Sequence, residues 1–551
     1  MPQESASKMD DDLSFSDVLS DLTQPSKKRD PRSIRLAAVT SALVDVATDG
    51  GSAGITAAKV YVSTVTALEG TLQSKDDSQV ANSLSTQVAL LELLQITVSH
   101  VEPAAILKAT LPVTSRVLRA VVASVESVGS DAMVMETKDE LGGINAVLRW
   151  ACRASTEVLK RLDPTADEKA VKQLFAATLL TLFRDRRSKV RKVAYNGAVE
   201  LLNMGGDGDG AVKCHPVITR TATAYVHAEL SKAQRNKKSQ NETLGDLLHL
   251  LSFLERSILH LDYAKLGTDI MQLLAVLFQL DGSSSATDFV AVVKVKEVTP
   301  KLLAISALLS IVVVILEDQD MDRKQSLDEF STRVLASLLQ AKPSLVFRNG
   351  SSDVEILQRG RTFYGQTILV ACRRIMAVNV DLACKLAPLG IEVVLMLSQP
   401  NEEDPDDATV SQTLMVELTQ LFRTRLSTLI SSKPQGLEKC LTDTLQAMQQ
   451  VMQSIYRPTW SVSLKCLGVF LQLLHTSDHS ISDNVESLVE LHSHVPEGSA
   501  SQLAVEDAVA SLIQGVGIEV FWRWIQWQEP QGSSKRTKNG MFEVLMSIGS
   551  M

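Results

Sequence analysis

The sequence predicts an all-α chain organised as an α-solenoid, and three features carry that prediction: composition, apolar periodicity and short breaks between apolar windows. Of 551 residues, 45% are hydrophobic but only 4% are aromatic. Leu, Ala and Val supply most of the apolar content; Leu and Ala favour helix, and Ala lets helices approach closely. Strand-rich folds draw more on Tyr, Phe, Trp and Ile. Apolar residues recur with the helical period: Leu84, Val88 and Leu91 stand at i, i+4 and i+7, and Leu90, Leu93 and Leu94 widen the stripe. Breaks this short make successive helices antiparallel neighbours and favour a solenoid over a bundle. Such an array grows repeat by repeat without one large core.

In chain order, residues 1–33 read as a disordered arm, acidic and rich in serine, that closes on Lys27, Lys28 and Arg29. The basic cluster fits a nuclear localisation signal or an ordinary charged linker, and nothing in the arm has the pattern of a signal or transit peptide. Residues 34–521 read as the helical array. Windows fall at 80–98 and 104–125, the second with a turn expected at Pro112. They continue near 144–162, 168–183, 188–203, 216–233, 243–260 and 264–280, pause at Asp281–Ser285, and resume from 300 to 514. The apolar run Leu302–Leu316 is about 15 residues, short of the ~20 that span a bilayer, and reads as a buried helix. Residues 522–551 read as a divergent tail, where Trp522, Trp524 and Trp527 alternate either as a strand-like aromatic anchor or as the frayed edge of a truncated helix.

Charge and cysteine usage bound the partners. A net charge of −9 excludes a generic polyanion binder, so any nucleic-acid contact must come from a local basic patch. Six widely spaced cysteines without a CxxC pair read as reduced thiols, most of them packed as small hydrophobes, which fits cytosol or nucleus.

One window has a sharper signature. Residues 174–202, LFAATLLTLFRDRRSKVRKVAYNGAVELL, resemble a HEAT repeat, so the array is read as HEAT/armadillo-like. Asp185 stands at the inter-helix turn, where its carboxylate can accept from free N–H groups at the start of the second helix. Val190, Ala194 and Leu201 share one helix face, with small residues where helices touch. Arg191 is expected to tie adjacent repeats through a carboxylate.

The likeness extends further. LFRDRRSKVRKVAYNGAVELL (182–202), CHPVITRTATAYVHAEL (214–230), LGDLLHLLSFLERSILHLDYAKLGTDIMQLL (244–274) and AVEDAVASLIQGVGIEVF (504–521) together resemble the N-terminal half of the ribosomal RNA-processing protein 12 family. The resemblance covers most of residues 170–521 and is strongest at 174–231; the chain is expected to depart from the family after Val520. It implies a nucleolar HEAT-repeat factor in the maturation and export of pre-ribosomal particles. Its implied partners are pre-ribosomal RNA and ribosome-assembly proteins, with nuclear transport factors as a further class. The alternative reading is a HEAT-type adaptor of another class, a karyopherin-like carrier or a phosphatase scaffold.

Six cations fall between Arg184 and Lys192. Arg186, Arg187, Lys189 and Lys192 are the candidate RNA-phosphate contacts, against the plainer reading of a solvated rim. A second cluster, Lys232, Arg235, Lys237 and Lys238, could extend the surface. Asp318, Asp320, Asp322 and Glu329 imitate calcium-loop spacing, but Arg323 stands where the loop needs glycine, so an acidic connection is preferred. The glycine-rich stretch 205–210 lacks the Lys-Ser/Thr of a phosphate loop, and Cys214-His215 has no partner pair for zinc. With no catalytic constellation, the chain is read as a non-enzyme without metal, cofactor, small-molecule substrate or membrane.

Overall fold

The computed structural model describes residues 15–24, 31–48, 55–73, 80–102, 105–131, 138–162, 165–204, 214–235, 240–278, 295–318, 324–341, 354–400, 408–475 and 482–526. Among these residues there are helices and short turns and no strand. The chain divides into two compact units, 1–228 with 260–262 and 229–259 with 263–551.

The first unit contains α1 (Phe15–Thr23), α2 (Pro31–Thr48), α3 (Ala57–Gln73), α4 (Val80–Val98), α5 (Ala105–Asp131), α6 (Lys138–Lys160), α7 (Glu168–Phe175) and α8 (Ser188–Leu202). Alternate helices stack in two layers: α2, α4, α6 and α8 in one, α3, α5 and α7 in the other. The reason is visible in α4, whose stripe Val88, Leu91, Leu94 and Val98 is buried, as are Leu90 and Leu93 beside it. A helix apolar over so wide an arc must be covered by neighbours on several sides. Tyr61 of α3 is wholly buried and shares a 2.6 Å hydrogen bond with Thr114 of α5, which satisfies both hydroxyls inside the odd layer.

Two expectations are corrected here. The arm 1–33 is helical over Phe15–Thr23, because Phe15, Val18, Leu19 and Leu22 make an apolar stripe that packs on α2, with Leu19 buried. Acidic and serine-rich composition hid that stripe. Pro112 makes no turn: α5 runs through it, and the ring stands on the exposed side, where water can replace the missing N–H donor.

The division between units falls within α9 (Pro216–Arg235). The second unit holds α10 (Gln240–Ser257), α11 (Tyr263–Phe278), α12 (Val295–Glu317), α13 (Lys324–Gln340), α14 (Val354–Val378), α15 (Val380–Leu397) and α16 (Ala408–Leu421). It continues through α17 (Ser427–Ser432), α18 (Leu437–Met448), α19 (Trp460–His475), α20 (Ser482–Ser493), α21 (Ala500–Val516) and α22 (Ile518–Gln526). Again the layers alternate, α10, α12, α14, α16, α19 and α21 against α11, α13, α15 and α18, while α20 and α22 pack on each other and on α21. Helices α14 and α16 cross at Gly365, where a Cβ would come within 2.5 Å of Leu414. Helix α12 carries an 18-residue stretch, Pro300–Glu317, long and apolar enough to cross a membrane by length and composition alone. Here its residues Leu302, Ile305, Leu308, Leu309, Val312 and Leu316 are buried and the helix packs on α10 and α14, the buried position expected of it.

Turns between helices are held by long side chains reaching main-chain carbonyls. Arg374 of α14 donates to the carbonyls of Leu316 (2.9 Å) and Asp318 (3.1 Å) and to the Asp328 carboxylate (3.1 Å). Arg361 donates to the carbonyls of Leu397 (3.0 Å) and Gln399 (2.7 Å), and the buried Tyr456 hydroxyl to that of Leu395 (2.6 Å). These are the orphan carbonyls that every helix C-terminus leaves. Of the tryptophans read either as a strand-like anchor or as the edge of a helix, Trp522 and Trp524 have helical backbone in α22, and Trp527 lies outside the described residues.

Five of the six cysteines, Cys152, Cys372, Cys384, Cys440 and Cys466, are buried, and none is disulfide-bonded. Burial pushes the thiols of Cys372, Cys440 and Cys466 up to about 12, so they behave as packing groups rather than nucleophiles.

Candidate nucleic-acid interface

The basic turn lies between α7 and α8 in the first unit. Helix α7 starts on Asp167, whose Oδ1 accepts from Lys169 N at 3.0 Å, and buries Ala170, Val171, Leu174 and Phe175. It continues through a π turn, Ala176–Leu180, and a 3-10 turn, Thr181–Arg184. The Thr181 hydroxyl donates to the Ala176 carbonyl at 3.0 Å, a partner five residues back that suits the widened turn. Leu182 and Phe183 are buried at the end of this segment, and the Phe183 ring lies 4.5 Å from that of Tyr195. The chain then has to turn at Asp185.

Asp185 organises the turn. Its Oδ1 accepts from the Arg187 main-chain N–H (2.8 Å) and Nε (2.7 Å), and its Oδ2 from Arg187 Nη2 (2.5 Å). Burial works against the Asp185 carboxylate, but the Arg187 hydrogen bonds and the nearby Arg187 and Arg191 charges outweigh it and hold its pKa below the ordinary value. Arg191 Nη1 donates to the main-chain carbonyls of Asp185 (2.6 Å) and Arg186 (3.0 Å). Val190, Ala194, Ala198 and Leu201 are buried along one face of α8. Asp185 thus closes the turn, and Val190 and Ala194 are packed on the helix that follows it. Arg191 differs from expectation: it closes its own turn through carbonyls. Arginine–carboxylate ties between separate helices occur instead at Arg32–Glu92 and Arg374–Asp328.

The four candidate phosphate contacts separate by environment. Arg187 has its guanidinium engaged by Asp185, with its side chain only 25% exposed. It is a turn residue. Arg186, Lys189 and Lys192 are exposed and make no ion pair among the described residues. Lys232 and Arg235 are exposed near the end of α9, while Lys237, Lys238, the glycine-rich 205–210 stretch and the Lys27, Lys28, Arg29 cluster lie outside the described residues. Of the calcium-like acids, Asp318 accepts a 2.8 Å hydrogen bond from the Tyr263 hydroxyl; Asp320 and Asp322 lie outside the described residues.

A second polar arrangement on the even layer has no counterpart in the sequence reading. Arg32 of α2 pairs with Glu92 of α4 (2.6 and 2.9 Å), and its guanidinium lies 4.9 Å from the centre of the Trp150 ring on α6. Arg153 lies 4.6 Å from the same ring. Lys160 of α6 bridges Glu157 (2.9 Å) and Glu200 of α8 (2.5 Å). Burial opposes the Lys160 ammonium, but the hydrogen bonds and charges of Glu200 and Glu157 prevail and raise its pKa. The Trp150–Arg153 and Glu157–Lys160 spacings were readable as i, i+3 neighbours. The links to Arg32 and Glu200 were not, since they depend on the stacking of separate helices.

Two layers of alternating helices, with turns closed by arginine and aspartate, define an α-solenoid of HEAT-type repeats. Residues 405–546 match the family described as ribosomal RNA-processing protein 12, HEAT repeats. The match lies C-terminal to the 174–231 segment, where the resemblance had been placed as strongest. It contains 504–521, another of the resembling segments, and runs beyond Val520, so the likeness does not end where a departure was expected. No curated protein matches the chain. Among solved structures, the chain is similar to an engineered protein at 15% identity, covering 88% of this chain and 99% of that one, with a TM-score of 0.31. It is also similar to importin beta (12% identity, 97% and 83% covered, TM-score 0.17) and to Kap121p (9%, 97% and 75%, 0.19). At these TM-scores the likenesses carry no argument.

Proposed function

We propose that this chain is a non-catalytic scaffold of ribosome biogenesis, active in the nucleolus, that binds pre-ribosomal RNA and ribosome-assembly proteins during processing and export of pre-ribosomal subunits. The observation that carries the reading is the match of residues 405–546 to the ribosomal RNA-processing protein 12 HEAT repeats. The RNA contact is assigned to Arg186, Lys189 and Lys192, which stand exposed around the start of α8. Arg187 leaves the contact set because its charge is already met by Asp185. Three cations on a turn held in shape by Asp185 and Arg191 give phosphate contacts without base readout, so the proposed RNA contact is electrostatic and insensitive to base sequence. Lys27, Lys28 and Arg29 are proposed as the nuclear address.

Tagged full-length protein, purified from nuclear extract under mild salt, is expected to bring down small-subunit precursor RNA. Reversal of Arg186, Lys189 and Lys192 to Glu is expected to reduce that recovery while the fold is retained. Recovery of mature cytosolic RNA or of no RNA contradicts the reading.

A further inference from the structure

Between α4, α6 and α8 lies an open groove of about 320 Å³, lined by Gln95, Arg153, Thr156, Glu157, Asn196 and Glu200. Its floor is close-packed: a Cβ on Gly197 would come within 2.4 Å of Thr156 Oγ1, so α6 and α8 meet there almost backbone to side chain. The Thr156 hydroxyl is already used, donating to the Cys152 carbonyl at 2.9 Å. Gln95 Oε1 is different. It is shielded from solvent and accepts no hydrogen bond among the described residues. A shielded acceptor without a donor is a cost that the folded chain bears, and one that an N–H from outside would remove.

The remaining groups say what kind of outside donor fits. Glu157 and Glu200 share Lys160, and Glu200 stays 56% exposed. A polyanion entering here meets carboxylates as well as cations. The Trp150 ring has the guanidinium groups of Arg32 and Arg153 against it, so it does not offer an open face to a base. RNA is therefore a poor occupant of this groove. A polypeptide main chain supplies alternating N–H and C=O groups, and Asn196, exposed on α8, can both donate to and accept from such a chain. Arg153 has no carboxylate partner among the described residues and can take one from the ligand.

We infer that the groove between α4, α6 and α8 binds an extended segment of a partner protein, read through its main chain by Gln95 and Asn196, with an acidic side chain placed against Arg153.

The test is selection of a displayed library of random linear peptides on the immobilised full chain. The enriched peptide is then synthesised and titrated calorimetrically against wild type, Gln95→Met, Asn196→Ala and Arg153→Ala. Enriched sequences are expected to carry an acidic residue, and each variant is expected to bind at least about tenfold more weakly. Gln95→Met is also expected to melt no lower than wild type, because it removes an unpaired acceptor while keeping the side chain's length. That combination separates a ligand-facing role from a structural one. Enriched peptides that bind all three variants like wild type, failure to enrich any linear peptide, a lowered melting temperature for Gln95→Met, or loss of single-stranded oligonucleotide binding in these variants each overturns the assignment.

Discussion

The Asp185 carboxylate grips Arg187 three times, through its main-chain N–H at 2.8 Å and its guanidinium Nε at 2.7 Å and Nη2 at 2.5 Å, and so fixes the turn between α7 and α8. That relationship converts one of the expected phosphate contacts into part of the scaffold. It also holds the neighbouring cations Arg186, Lys189 and Lys192 in a set geometry.

Removing the grip should cost stability. Asp185→Asn keeps one acceptor oxygen but loses the charge and the two-oxygen contact, and is expected to destabilise the protein by about 1–2 kcal/mol, read by chemical denaturation at pH 7. The pH dependence has a definite sign. Asp185 has a folded-state pKa below its ordinary value, so its stabilisation is complete above the unfolded-state pKa of about 3.9 and fades as pH falls through the lower folded value. The difference between wild type and Asp185→Asn should therefore narrow below about pH 4. A difference that stays constant into acid contradicts the charge-based account.

Neighbouring arginines should behave oppositely. Arg187→Ala is expected to lower the melting temperature, whereas Arg186→Ala, whose side chain is exposed, is expected to leave it within error. For RNA affinity the order reverses. Reversing Arg186, Lys189 and Lys192 together is expected to flatten the dependence of log affinity on log salt by about 2, measured by filter binding across a salt series.

At Gly365 the helices α14 and α16 leave no room, since an added Cβ would sit 2.5 Å from Leu414. Gly365→Ala is expected to cost about 1–3 kcal/mol by overpacking. Combining it with Leu414→Val should recover part of that loss relative to the sum of the single substitutions. Simple additivity in denaturant titrations contradicts direct contact.

Arg374 joins two turn carbonyls and Asp328, and its side chain and that of Asp328 are each only 17% exposed. Arg374→Met keeps most of the side chain's bulk but leaves these acceptors unmet, with an expected loss of about 2–4 kcal/mol by denaturant titration. Asp328→Asn should cost less, because Arg374 keeps its carbonyl partners. Equal losses contradict that division of roles.

Much of this architecture was legible in the sequence because helical periodicity is a local property. The windows at 80–98 and 188–203 fall within one residue of the helices α4 and α8 at either end. Composition misled at Phe15–Thr23, where two serines and two aspartates alternate with the four apolar residues that dock the helix. Proline misled at Pro112, where exposure rather than chain direction decides whether a helix survives. At the candidate interface, six cations in a row of nine were visible, but their roles were not. Arg187 and Lys189 look alike in the sequence; only the turn geometry brings one of them onto Asp185. The bridge from Lys160 to Glu200 spans 40 residues and depends on α6 lying beside α8, so no local pattern could disclose it.

The central claim is that this α-solenoid works on pre-ribosomal particles through its α8 turn. Sedimentation of nuclear extract containing the tagged full chain tests that claim most directly. The account predicts that wild type travels with small-subunit precursors and that the Arg186, Lys189 and Lys192 to Glu variant, equally folded by its melting curve, shifts toward the top of the gradient. Wild-type protein found only at the top, or a charge-reversed variant that still travels with the particles, would contradict it.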